Sequence, residues 1–261
     1  MIRNTEILKH PEIVDARSLL PRNPERSWKQ RDPEKITGLV WHQALGWGTV
    51  EDVARYHCGP NHMTSDGLPG IAYTFAIRRD GEILLCNDIE DRTWSQGTRE
   101  RAGDENAEFV SCMFEGRFWA RDINDANVGE PTPEQIMSGL RLWQVCVDVF
   151  GWSKVSSLYG HFDFGKESCP GYTLQQIILA VRRPAPIADK DNVMWVQRQL
   201  KELGHYTGEI DGLWGPLSKR AVCEFQQNNG LEATGVVNVP THGKLAYLSG
   251  ATGGVDRRGA K

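Results

Sequence analysis

The segment Gly160–Tyr172, GHFDFGKESCPGY, sets a histidine and a cysteine at either side of a short polar loop. Imidazole nitrogen and thiolate sulfur are both good zinc donors, and a catalytic zinc commonly takes three protein ligands and leaves the fourth position to water. His161 and Cys169 therefore need one partner from elsewhere. His42 is suited to the task, because it ends the apolar, β-rich run Ile36–His42 (ITGLVWH). Such a run predicts a buried strand whose last side chain can project from the sheet edge into a cleft. A closed structural site would use four ligands in two short-spaced pairs, and the sequence has no CxxC. A second grouping, His57, Cys58 and His62 in YHCGPNHM, competes for the role. Its first two members are adjacent, however, and so point different ways at a helix end.

The elements that must carry these residues are legible in outline. Residues 1–35 are charged and punctuated by proline, and are expected to form an extended lead-in. After the strand at 36–42, VEDVARYHC has helical spacing. The Gly-, Pro- and Asn-rich stretch GPNHMTSDGLPG leads to IAYTFAIRRDGEILLC, read as a hairpin turning at Arg79-Asp80-Gly81. NAEFVSCMFEG reads as another strand. Thr132 is placed to cap, and Pro133 to begin, a long amphipathic helix through EQIMSGLRLWQVCVDVFGW. Strands alternating with helices predict an α/β domain over 1–183, a mixed central sheet flanked by helices. RPAPIADKD follows, and 184–190 is read as a linker. Residues 191–249 contain two compact helices stopped by glycine and a third helical stretch, VNVPTHGKLAYL, predicting a small C-terminal three-helix domain. Residues 250–261 are read as a flexible tail.

Composition narrows the function. With 39% hydrophobic and 25% charged residues, the 261-residue chain has the balance of an ordinary soluble globular protein. Its net charge of −4 gives no argument for nucleic acid as a partner. No apolar run approaches the roughly 18 residues of a membrane span, and the N-terminal residues lack the apolar segment of a signal peptide. Four of the cysteines, Cys86, Cys112, Cys146 and Cys223, sit beside apolar neighbours and are expected to be buried thiols. Cys169, among polar loop-forming residues, is the exception.

Three stretches in order, LVWHQ, GIAYTFAIRRDGEI and GHFDFGKESCPG, resemble the zinc-dependent N-acetylmuramoyl-L-alanine amidases of the type shared by phage lysozymes and peptidoglycan-recognition proteins. The resemblance spans about residues 36–180. It implies Zn²⁺ as cofactor, held by His42, His161 and Cys169, and Tyr73 as a residue assisting at the activated water. The tail, from VQRQLKELG through the D-G-x-x-G-P loop to AVCEFQQ, resembles the three-helix peptidoglycan-binding domain of wall hydrolases. Both resemblances imply bacterial peptidoglycan as partner.

The sequence departs from the family pattern at three places. Many members carry lysine or threonine two residues before the last ligand. Glu167 stands there and Lys166 precedes it, so Lys166 is the candidate oxyanion donor, displaced by one residue. Where some members have a catalytic glutamate the chain has Met113, with Glu115 two residues on along the strand. A histidine following tryptophan in some members is Ser95 here. Because the phage-type enzymes also lack that glutamate, the burden falls on zinc and Tyr73. Of the nine tryptophans, Trp41, Trp143 and Trp195 sit at core-like positions. Trp94, and Trp214 with Asp211 in the tail loop, are candidates for stacking on or bonding to the wall polymer, with plain packing the alternative.

These readings converge on a zinc hydrolase that cuts the amide between N-acetylmuramic acid and the L-alanine of the stem peptide. The lack of an export signal fits a phage endolysin made in the host cytoplasm, acting at the cell wall as a monomer without membrane insertion. A wall-recycling enzyme, a recognition protein that binds without cutting, and a hydrolase of another wall bond are the alternatives.

Overall fold

The computed structural model describes the chain except residues 1, 47, 61–63, 97–104, 119–128, 154–155, 183–189, 232, 238 and 250–261. It divides into two compact units, Met1–Gln175 and Gln176–Lys261. The division falls inside the helix Tyr172–Arg182, ahead of the expected linker. That linker, 184–190, lies outside the described residues except at Lys190, where a helix begins.

The first unit is built on a six-stranded sheet. In chain order the strands are β1 (Ile13–Asp15), β2 (Gly38–Gln43), β3 (Phe75–Ile77), β4 (Ile83–Leu85), β5 (Phe109–Phe114) and β6 (Leu158–Gly160). Their spatial order is β1-β4-β3-β5-β2-β6, and the β3–β4 hairpin is the antiparallel pair among otherwise parallel neighbours. β2 lies between β5 and β6 and is buried at all six positions, as an apolar strand covered on both faces must be. The hairpin turns at Gly81, at a φ of 91°.

The lead-in is more ordered than its composition implies. Ile2–Ile7 forms α1, and Ile13-Val14 add β1 to the sheet edge beside β4. Two β-branched residues suffice where a neighbouring edge offers unpaired backbone groups.

α2 (Val50–Cys58) begins at Thr49, whose hydroxyl accepts the Asp52 N–H while the Asp52 carboxylate accepts the Thr49 N–H. Glu115 accepts the Val50 N–H at 3.3 Å, setting a second carboxylate at the positive end of that helix. A short helix α3 (Glu105–Glu108) precedes β5. Thr132 and Gln135 form the capping box of α4 (Pro133–Phe150) as the sequence requires. Gln135 also donates to the carbonyls of Ile77 and Glu115, closing the ends of β3 and β5. α5 is Tyr172–Arg182. All six cysteines are free thiols; Cys86, Cys112 and Cys146 are buried, whereas Cys223 is half-buried.

The second unit has its own core, formed by Val196 and Leu200 of α6 (Lys190–Glu202), Ala221, Val222 and Phe225 of α7 (Pro216–Asn228), and Leu245 of α8 (Val239–Leu248). Two buried glutamines organise its loops in parallel fashion. Gln197 accepts the Gly212 N–H and donates to Asp211 and the Leu213 carbonyl, and Gln226 accepts the Gly235 N–H and donates to Thr241 and the Val236 carbonyl. Trp195 is half-buried and stacks on His242 at 4.4 Å between centroids. Among the described residues, no helix is long and apolar enough to cross a membrane.

Candidate metal centre

Strand register brings the two histidines together. β2 and β6 pair in parallel with Trp41 opposite Gly160, so His42 and His161 are the next residues along each chain. Side chains at equivalent positions of parallel neighbours share a face, and the two rings lie 4.5 Å apart between centroids. Gly160 leaves room for the turn that follows, because a Cβ there would lie 2.4 Å from the Phe162 ring.

Past His161 the chain makes a 3₁₀ turn, His161–Phe164, and doubles back. Asp163 accepts the Gly160 N–H at 2.9 Å, and the Phe162 N–H donates to the Cys169 carbonyl at 2.8 Å. The backbone of Lys166 ties both ends of the loop, donating to the His161 carbonyl and accepting the Cys169 N–H. Cys169 Sγ thereby comes to 3.8 Å from His42 Nδ1. One donor atom from each of His42, His161 and Cys169 lies within 4.8 Å of the others, all three buried. Among the described residues no other group of three such ligands forms.

Burial controls the charge of this site. It holds the His42 imidazole far below its usual range, with the neighbouring His161 adding to the effect. It lowers His161 to about 4, helped by the Lys166 cation. The Cys169 thiol is pushed up to about 12 by burial, against the backbone N–H of Gln43 and the Lys166 charge, which favour thiolate. Nε2 of His42 and of His161 are buried with no hydrogen-bond partner. Buried nitrogens are ordinarily satisfied, and two imidazoles with unpartnered nitrogens gathered with a buried thiol are a donor set that a soft dication would complete.

Tyr73 lies beside the cluster, its ring 5.2 Å from His42 and packed against the apolar group containing Met113, Val50 and Ala54. Burial, with the Cys169 sulfur adding, raises its phenol far above the usual value, so the O–H stays protonated and able to donate. The segment that carries it is held by side chains rather than by a strand ladder. Asn87 donates to the carbonyls of Ile71 and Tyr73 at 2.8 and 2.7 Å, and Trp28 donates to the Asn87 oxygen. His57 Nδ1 accepts the Ala72 N–H at 3.1 Å, and Ser111 accepts the Thr74 N–H. Lys166 and Glu167 have exposed side chains at the loop that delivers Cys169.

Among the described residues the competing grouping is not assembled. His57 is engaged with Ala72, the Cys58 thiol donates to the Pro21 carbonyl, and His62 lies outside the described residues. Glu115 engages α2, as described, and burial raises its carboxyl. Ser95 is buried and bonds to Gln96. Trp94 stands 48% exposed in its loop. In the second unit Asp211 accepts from Gln197 and from the Leu213 N–H, and Trp214 packs partly against the local core. Sequence reading missed Gln43 and Asn87. The available signal was a polar residue ending or following a mostly apolar strand, which must find partners when buried.

Comparison with known proteins places these features. Residues 32–172 match the N-acetylmuramoyl-L-alanine amidase family, and residues 189–245 match the peptidoglycan binding domain. The localization factor PodJL of Caulobacter vibrioides is 37% identical over 65 residues, 25% of this chain and 7% of that protein. The N-acetylmuramoyl-L-alanine amidase CwlM of Mycobacterium tuberculosis is 36% identical over 64 residues, 24% of this chain and 16% of that protein. The chain thus spans a small fraction of the length of these curated relatives. Among solved structures, the endolysin amidase LysCS of Clostridium intestinale is similar with a TM-score of 0.41 and 22% identity, over 62% of this chain and 88% of that one.

Proposed function

Because the chain belongs to the N-acetylmuramoyl-L-alanine amidase family, we propose that it hydrolyses peptidoglycan at the amide joining N-acetylmuramic acid to the L-alanine of the stem peptide. The observation that carries this reading is the buried cluster of His42, His161 and Cys169, with two imidazole nitrogens left without partners. Zinc held by these three residues would supply Lewis acidity and an activated water near neutral pH. The chain's own groups do the rest. The protonated Tyr73 hydroxyl donates a hydrogen bond to the carbonyl oxygen as it gains negative charge. Lys166, close enough to bias both His161 and Cys169, adds positive charge at the same edge. Burial of the ligand side chains keeps these interactions strong by excluding water.

A wall-binding segment at 189–245 supports a lytic enzyme acting on intact peptidoglycan at the bacterial cell wall, as a phage endolysin does. An enzyme that recycles soluble fragments would gain little from such an anchor. A recognition protein that binds without cutting would be expected to lack a ligand, and here all three are present.

The test combines metal analysis with product analysis. One zinc per chain is expected, with new alanine amino termini and no new reducing ends after digestion of purified peptidoglycan. Alanine at His42, His161 or Cys169 should remove both metal and activity. Full activity in metal-free protein, or reducing ends as the product, would overturn the reading.

A further inference from the structure

Gln43 follows the proposed ligand His42 and is 1% exposed at the end of a strand whose residues before the histidine are apolar. Its side chain has two partners on two different segments. Nε2 donates to the Ser168 carbonyl at 2.7 Å, and Oε1 accepts the Phe118 N–H at 2.6 Å. A carbonyl can only accept and a backbone N–H can only donate, so the amide has one allowed orientation. The same residue also directs its backbone N–H to the Cys169 sulfur. One residue therefore touches the ligand loop twice, at Ser168 and at Cys169, while being bonded covalently to His42.

We propose that Gln43 is a positioning residue for the metal centre, fixing the Ser168–Cys169 backbone against His42 so that the ligands stand at binding distance before the ion arrives. The inference rests on the metal reading above and goes beyond it by assigning a residue that holds no metal. The sequence separation explains why such a brace is needed: His42 and Cys169 arrive from opposite ends of the domain, and the loop from His161 to Cys169 has little regular structure. Without the brace, the buried Phe118 N–H and the half-buried Ser168 carbonyl would each lose a partner, and the loop would shift to satisfy them. Groups that orient a ligand typically account for about 10–100-fold in metal affinity.

The experiment measures zinc affinity of the full chain at neutral pH by competition with a chelator, and the thiolate-to-metal absorption of the cobalt(II) form. Gln43→Leu should bind zinc about 10–100-fold more weakly and lose cobalt–thiolate intensity. Gln43→Glu keeps an acceptor for Phe118 but removes the donor to Ser168, so it should weaken binding as well, and it serves where the leucine variant fails to fold. Gln135→Leu is the control, because Gln135 is an equally buried glutamine bridging two carbonyls away from the ligands. It should lower thermal stability and leave zinc affinity within about twofold. Wild-type affinity in both Gln43 variants, or an equal loss in the Gln135 variant, would overturn the assignment. Wild-type protein that takes up neither zinc nor cobalt would overturn the metal reading with it, and that result is distinct from the other two.

Discussion

Replacing Tyr73 with phenylalanine removes one oxygen and leaves the ring, which isolates the proposed chemistry from the packing. The ring's packing against the neighbouring apolar cluster survives, and the backbone stays held by Asn87 through the carbonyls of Ile71 and Tyr73. Stability and zinc content should therefore stay close to wild type. The hydroxyl is protonated across the working pH range, because burial has raised it far above an ordinary phenol. It can donate to an oxyanion but cannot act as a base. Losing one such preorganised donor should lower turnover about 10²–10³-fold, equivalent to about 2.7–4 kcal/mol of transition-state stabilisation, with a smaller effect on substrate affinity. The assay is release of alanine amino termini from a soluble muropeptide, read at verified metal occupancy. Turnover above about a third of wild type would refute the assignment and leave Tyr73 a packing residue.

Lys166→Ala should lower turnover without loss of zinc, since the loop is tied by the Lys166 backbone and not its side chain; unchanged turnover would exclude the ammonium from oxyanion binding. Glu51 sits in a bidentate pair with Arg78 at 2.6 and 3.0 Å, and the hydrogen bonds from Arg78 lower its carboxyl to about 2 from an ordinary 4.5. A depressed folded-state pKa contributes stability above pH 4.5 that is lost as pH falls toward 2. After solvent screening, Glu51→Gln should cost about 1–2 kcal/mol at pH 6 and nothing near pH 2, and a pH-independent difference in unfolding free energy would contradict this. A fragment beginning near residue 189 should sediment with purified peptidoglycan; its remaining in the supernatant would remove the anchor from the functional reading.

What could be read from the sequence was local. The helix Val50–Cys58, the cap at Thr132 and the turn at Gly81 each declare themselves within a few residues through spacing, hydroxyl placement or a glycine. The three candidate ligands could be singled out because their donor types are rare and their positions are ordered. The brace could not, because Gln43 acts across 125 residues to Ser168 and 75 to Phe118, distances at which no periodicity speaks. Asn87 escaped for the same reason, its function residing in two carbonyls of a segment with no regular structure. β1 escaped because a three-residue strand has too few alternations to register, and gains its place from the free edge of β4.

The face that carries the chemistry is specified in part from the opposite side of the sheet. Successive strand residues point to opposite faces, so His42 faces Cys169 only if Trp41 faces away. A one-residue slip of β2 would reverse both. Trp41 is fully buried, edge-on to Phe114 at 4.9 Å, and both rings press against α4 at Gly139. A Cβ at that position would fall 2.5 Å from Phe114 and 2.9 Å from Trp41. The missing methyl is thus a notch into which the two rings fit, and no other residue type would leave it open. Helix propensity alone favours alanine there by about 1 kcal/mol, so the glycine answers to packing instead. The notch holds Trp41 on one face, the pleat then turns His42 to the other, and parallel pairing sets His161 beside it. Packing that never touches substrate thereby determines that two histidines reach the same side of the sheet as the cysteine loop.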